Sequence, residues 1–158
     1  PGRIERLKEA FRRSRFAELV PLFAEREFLL SVEGFLVRGR IDAIYGTPEG
    51  AWEVVDYKTG APPRDDPLAG LQLDLYALAC VDVWGKRPED LRLTYLYLAT
   101  GEEVSRPAGD PAATRARVAD ALRAIAAGRF DPTPNPACRY CDFLSFCAEG
   151  RASVGAGS

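Results

Sequence analysis

The chain has 158 residues, 21 Lys and Arg against 23 Asp and Glu, 47% hydrophobic residues, four Cys and no His. A length of this order supports one domain with a real core and excludes a multidomain motor, and the absence of His excludes Ser-His-Asp and Cys-His catalysis and any imidazole-ligated zinc. The net charge of −2 excludes a surface wholly given over to nucleic acid, while leaving room for a local basic face.

Ile4, Leu7 and Phe11 recur at helical spacing among Arg and Glu, predicting an amphipathic first helix that ends near Pro21. From Glu27 the pattern turns to strands: 28–32, a turn at Glu33-Gly34, then 35–45, a second turn at 46–50, and 51–58. Three strands so closely spaced predict an antiparallel meander. After the polar stretch 61–67, with its three Pro, residues 68–84 are rich in Leu and Ala and predict a mostly buried helix ending at Gly85. Residues 91–98 alternate with period two and predict a further strand. Residues 111–127 predict an Ala-rich helix with Asp110 as N-cap and Gly128 closing its C-terminus. A Pro-rich segment from Phe130 to Ala137 leads into the cysteines. The expected architecture is therefore α/β: a mixed central sheet, built from a three-stranded antiparallel meander plus a further strand, flanked by helices. It forms one domain over residues 1–150, with 151–158 expected as a disordered tail.

No apolar run approaches the ~20 residues of a transmembrane helix, and residues 1–20 do not resemble a signal peptide, so the expectation is a cytoplasmic protein with no membrane partner. Three of the four Cys fall within ten residues, which in a reducing compartment points to metal ligands more than to disulfides. The chain starts at Pro1 and contains no Met, as a piece excised from a larger protein would, or a chain that had lost an initiator Met.

The charges inside the strands carry the chemistry. Asp42 interrupts an apolar strand, and Asp56 and Lys58, two residues apart on the next, share a face while Tyr57 points the other way. If the register sets Asp42 opposite that pair, two carboxylates and an ammonium converge in a pocket suited to a divalent cation and to phosphodiester hydrolysis. The alternative is a structural ion pair between Asp56 and Lys58, with Asp42 a turn residue. Arg outnumbers Lys 18 to 3 in this chain. An Arg would serve an ion pair equally well, whereas only Lys offers an amine of tunable pKa. Gln72 and Tyr76, at i and i+4, share one helix face and Asp74 falls elsewhere; the alternative for Tyr76 is a core aromatic with a satisfied hydroxyl. Glu53, at an odd offset from Asp56 and Lys58, belongs to the opposite face and is set aside. Arg38, Arg40 and Arg64 flank the pocket as candidate phosphate contacts or ordinary solvated charges.

Four segments taken together, Gly39-Arg40-Ile41-Asp42, Val54-Val55-Asp56-Tyr57-Lys58-Thr59-Gly60, Gln72-Leu73-Asp74-Leu75-Tyr76 and Cys138-X2-Cys141-X5-Cys147, resemble the RecB-like branch of the PD-(D/E)XK nucleases from about Glu25 to Cys147. The resemblance implies a restriction-endonuclease-like fold and a Mg- or Mn-dependent, exonuclease-type deoxyribonuclease. Asp42, Asp56 and the Tyr57 carbonyl would be metal ligands, Lys58 would assist the attacking water, and Gln72 and Tyr76 would face the site and the DNA backbone. The cysteines resemble the iron-sulfur staple of one subset of these nucleases, in which three C-terminal Cys and one upstream Cys hold a [4Fe-4S] cluster. Cys138, Cys141 and Cys147 fit the first three. No Cys lies upstream of Asp42, and the fourth, Cys80, sits in an apolar helix where a Cys ordinarily serves as a small core residue. Four-Cys zinc would use the same residues.

The family also supplies a further metal ligand, often His, from an N-terminal helix. The expectation is that N-terminal truncation accounts for its absence here together with that of the upstream Cys. The parent would then resemble a UvrD-like or AddAB-like helicase-nuclease acting in DNA repair, with DNA and a helicase domain or partner subunit as partners. The rival expectation is a catalytically weak or inactive nuclease-fold DNA-binding or scaffold domain with a structural iron-sulfur or zinc site.

Overall fold

The computed structural model describes residues 2–62 and 70–155. In chain order its elements are α1 (Arg3–Arg13), β1 (Phe23–Val32), β2 (Phe35–Gly46), β3 (Trp52–Lys58), α2 (Leu71–Trp84), β4 (Leu91–Tyr97), β5 (Glu102–Pro107), α3 (Pro111–Ala126) and α4 (Ala148–Gly155), with 3₁₀ turns over Pro88–Asp90 and Pro136–Tyr140. The strands form one sheet in the order β1-β2-β3-β4-β5.

The meander is built as expected. Val32 pairs with Phe35 across a two-residue turn whose residues Glu33 and Gly34 both have positive φ, 48° and 84°, the tight hairpin geometry that matches strand twist. β2 and β3 are likewise antiparallel, with Ala43 opposite Val55. β3 then crosses over through α2 to pair in parallel with β4, Asp56 lying beside Tyr95. A parallel pair needs such a crossover, and it makes β3 the central strand. Coverage on both faces explains why Trp52, Val54, Val55 and Asp56 are all buried.

The layers explain the helix sequences. α2 lies between the sheet and α3, so it buries Leu73, Tyr76, Ala77, Leu78, Ala79 and Cys80 and has no wide polar face to show. Gly85, at φ 67°, closes it with bonds to the Cys80 and Val81 carbonyls. α3 is the outer helix, N-capped as expected by the Asp110 side chain accepting from the Ala112 amide. On the opposite face of the sheet, Phe16 packs with Ala43, Tyr45, Val55 and Leu96, and Phe11 of α1 joins that cluster.

Four expectations need correction. The first helix stops at Arg13, well short of Pro21, because Ser14 turns to extended backbone and caps it: its amide and its hydroxyl both donate to the Phe11 carbonyl, at 2.9 and 2.7 Å. That break lets Phe16 swing into the core, where it is fully buried. β1 starts at Phe23, ahead of its apolar stretch, on ladder bonds alone. β5 was not anticipated, because its residues are mostly exposed and lack the apolar alternation that marks a strand; the ladder to β4 defines it, and its charges suit a sheet edge. The tail expected to be disordered from 151 is helical through Gly155 as part of α4. The expected start of α2 at Leu68, and Arg64, lie outside the described residues. No helix among the described residues is long and apolar enough to cross a membrane.

Candidate active site

The site forms where the β2–β3 ladder opens. The last paired residues are Ala43 and Val55, and the next step would set Asp42 against Asp56. There the backbone of β2 no longer receives β3. Instead the Tyr57 amide donates to Asp42 Oδ2 at 3.0 Å, so a carboxylate replaces a main-chain carbonyl in the ladder. Asp42 is thereby fixed at the mouth of the gap, half-buried, while Asp56 lies inside it with 1% of its surface exposed.

Asp56, Lys58, Gln72 and Tyr76 form a chain of polar contacts on the α2 face of the sheet. Lys58 Nζ sits 2.7 Å from Asp56 Oδ2 and donates to Gln72 Oε1 at 2.5 Å. The Gln72 amide in turn donates to the Tyr76 hydroxyl at 2.7 Å. The Tyr76 ring packs edge-on to Phe28, 5.9 Å between centroids, which locks its orientation. Tyr76 is thus both things the sequence allowed: its ring is core and its hydroxyl belongs to the site. Gln72 and Lys58 remain open to solvent.

The electrostatics show an unfinished site. Burial pushes the Asp56 carboxyl above its ordinary value; Lys58 opposes the shift and the neighbouring Asp42 charge reinforces it. Lys58 Nζ, 2.7 Å away, meets Asp56 Oδ2 as an ion pair but off the line of a well-aligned hydrogen bond; Oδ2 is the one such buried side-chain oxygen or nitrogen among the described residues. A buried carboxylate so imperfectly matched is costly. Burial raises the Tyr76 hydroxyl as well.

The remaining expected residues divide cleanly. Tyr57 points its side chain to the other face, its hydroxyl 2.8 Å from that of Tyr45, so only its backbone belongs to the site. Glu53 is on that other face too, held by both Arg15 nitrogens and by Thr94 Oγ1 at 2.6 Å. Asp74 turns away to Arg106 at 2.6 Å. Arg38 and Arg40 form exposed ion pairs with Glu27 and Glu25, at 3.0 and 2.8 Å. Sequence reasoning missed Tyr95, whose ring lies under Lys58 Nζ at 5.3 Å to the centroid; burial pushes its hydroxyl up to about 12. Its alternation within β4 was visible, but its position beside Asp56 depends on the parallel pairing.

Cys138, Cys141 and Cys147 line a single cavity of about 330 Å³ at the C-terminal end. The Asn135 amide donates to Cys138 Sγ at 3.4 Å and the Gly150 amide to Cys147 Sγ at 3.2 Å. Cys80 does not line that cavity; it is fully buried in α2, where burial pushes its thiol up to about 12. The three C-terminal thiols thus share one cavity while Cys80 stands apart in α2, so the described residues assemble no four-thiolate site. Among the described residues, no group of three or more Cys, Asp or Glu is gathered so as to hold a metal ion.

Comparison with known proteins bears on the family and the fold. The family model described as the PD-(D/E)XK nuclease superfamily matches residues 1–148. The chain is 33% identical over 130 residues to the Gene 69 protein of Mycobacterium phage D29, covering 78% of this chain and 46% of the phage protein. It is also 33% identical over 138 residues to the Gene 69 protein of Mycobacterium phage L5, covering 78% and 43%. The chain thus spans less than half the length of these curated relatives. The crystal structure of SSO0001 shares the fold, with a TM-score of 0.54 at 21% identity over 94% of this chain and 69% of that one. The chain belongs to the PD-(D/E)XK nuclease superfamily, and its mixed, helix-flanked sheet is the restriction-endonuclease-like fold of that superfamily.

Proposed function

We propose that this PD-(D/E)XK domain is a Mg²⁺- or Mn²⁺-dependent deoxyribonuclease of exonuclease type. The observation that carries the reading is the Asp56 carboxylate, 1% exposed, set beside the second carboxylate Asp42 and met by the Lys58 ammonium at 2.7 Å. Asp42, Asp56 and the Tyr57 carbonyl are hard oxygen donors, the kind that hold Mg²⁺ or Mn²⁺. Two carboxylates suffice where water and a substrate phosphate complete the coordination. When bound, the cation supplies Lewis-acid polarisation of the scissile phosphate and a more acidic water.

The chain's own residues do the rest. The Tyr57 amide holds Asp42 at the gap and leaves its other oxygen available. Lys58, anchored between Asp56 and Gln72, directs its ammonium at the position of an attacking water and stabilises charge developing on the phosphate. The Tyr95 ring beneath it limits its motion. Gln72, exposed and fixed by Tyr76, is placed to donate to a DNA phosphate.

A second reading, a nuclease-fold DNA-binding scaffold with weak or no catalysis, draws on the presence of only two side-chain carboxylates in the site and no third acidic or thiol ligand among the described residues. A helicase-nuclease parent in DNA repair, with a helicase domain or subunit as partner and a fourth cysteine ligand completing the Cys138, Cys141 and Cys147 set, remains the wider context of the first reading. The test is Mn²⁺-dependent degradation of end-labelled single-stranded and duplex DNA by wild type and Asp56→Asn. The nuclease reading expects digestion that the substitution abolishes. Binding without Asp56-dependent digestion would establish the scaffold.

A further inference from the structure

The charge of this chain is unevenly distributed. Residues 3–15 carry six Arg and Lys against two Glu, a net of +4, in a chain whose total is −2, so the remaining residues sum to −6. Those basic residues lie on α1 and the turn after it, and the five Arg among them border an open groove of about 870 Å³ between α1 and the β4–β5 turn. Leu7, Ala10 and Leu98 contribute apolar surface to it, and Arg3, Arg12 and Arg13 contribute guanidinium groups. The groove also includes Thr59, the residue after Lys58. One end thus meets the chain one residue beyond Lys58, at the end of β3, while the Lys58 side chain itself turns to the α2 face.

We infer that this groove is a track for one DNA strand, carrying its sugar-phosphate backbone from the site along α1. The inference rests on the nuclease reading for its direction, and on charge complementarity for its occupant. An apolar floor with an Arg-rich wall along α1 suits a strand whose sugars and bases lie inward and whose phosphates meet Arg, passing the lining carboxylates Glu5, Glu9 and Glu103. The ion pairs present do not compete strongly. Arg12 and Arg13 share the single carboxylate of Glu9, with side chains 62% and 78% exposed, and such exposed, solvent-screened pairs are weak. A phosphate can take their place at little cost, releasing condensed cations as it does so. Arg15 differs: it is tied to Glu53 and Glu103 and fixes the end of α1 against the sheet.

The experiment is fluorescence anisotropy of a labelled 15-nucleotide single-stranded DNA with the full chain in EDTA, across a KCl series. It compares wild type, Arg3→Gln/Arg12→Gln/Arg13→Gln, and a control of equal charge change elsewhere, Arg87→Gln/Arg123→Gln/Arg129→Gln. All six positions are exposed, and an unchanged melting temperature verifies folding. Loss of three phosphate contacts should flatten the slope of log K against log[KCl] by about 2 and weaken binding up to ~100-fold near 0.1 M salt. The control triple should retain the wild-type slope. A groove triple with the wild-type slope and affinity, an equal loss in the control, or no wild-type binding would each overturn the track. Mn²⁺-dependent cleavage is scored separately. Its absence would count against the nuclease reading, while the metal-free binding measurement still decides the groove.

Discussion

Two carboxylates three residues apart on β3 meet opposite fates. Glu53 faces α1 and is satisfied: Arg15 clamps it with two nitrogens and Thr94 donates to it, and these bonds outweigh the cost of burial and hold its carboxyl below its ordinary value. Asp56 faces α2 and is not fully satisfied: burial outweighs the contacts with Lys58 and Tyr76 and holds its carboxyl above its ordinary value. The same strand and the same kind of group thus give stability on one face and stored electrostatic cost on the other. A fold tolerates such a cost where function uses it, and here it sits beside Asp42 and Lys58. The largest expected effect follows: Asp56→Asn should reduce Mn²⁺-dependent DNA cleavage by more than ~100-fold, since even outer-shell partners of a metal cost 10–100-fold. Lys58→Ala should cost ~10²–10³-fold in kcat while retaining metal binding. Both are read from initial rates, with metal binding followed as the shift in melting temperature on adding Mn²⁺. Glu53→Gln, on the other face, should keep its cleavage rate per folded molecule. Equal losses in Glu53→Gln and Asp56→Asn would erase the distinction between the faces.

Stability should move in opposite directions. A carboxyl whose native value is raised binds more protons folded than unfolded, so it lowers stability as pH rises from the ordinary Asp value through the native one. Metal-free Asp56→Asn should therefore melt higher than wild type at pH 7, and the gain should vanish in acid. Glu53 has the opposite sign: its contribution is complete above the ordinary Glu value and is lost as pH falls through the lowered native one. Glu53→Gln should cost about 1–2 kcal/mol at neutral pH, roughly 2–8 °C in melting temperature at this size, with the gap closing in acid. Thermal melts in EDTA across pH 3–8 give both curves. Parallel curves for the two variants would sink the assignment of the two environments.

How much of this was legible in the sequence depends on the range of the interaction. Period-two alternation gave the meander and put Asp56 with Lys58 on one face and Glu53 on the other, because side-chain direction along a strand is a local property. The i, i+4 spacing placed Gln72 and Tyr76 together for the same reason. What was lost depended on partners distant in the chain. The approach of Tyr95 to Lys58 needs the parallel β3–β4 pairing, and the grip of Arg15 on Glu53 spans 38 residues. β5 carries no apolar signature, and α1 ends where a single serine caps it.

The smallest expected effect concerns Tyr57, which touches both faces at once. Its amide holds Asp42 on one side, while its hydroxyl meets Tyr45 and its ring packs edge-on to Phe11 at 5.7 Å on the other. Burial raises its hydroxyl far above the physiological range, so it stays protonated and acts only as a neutral hydrogen-bonding group. Tyr57→Phe removes that hydroxyl and leaves Tyr45, 7% exposed, without its partner, at a cost of about 1 kcal/mol. The amide and carbonyl are untouched. The variant should thus melt a few degrees lower than wild type yet show the same Mn²⁺-induced rise and the same cleavage rate. A lost metal shift would mean that the hydroxyl pair orients the 56–57 peptide, and that the satisfied face of β3 governs the unsatisfied one through the chain between them.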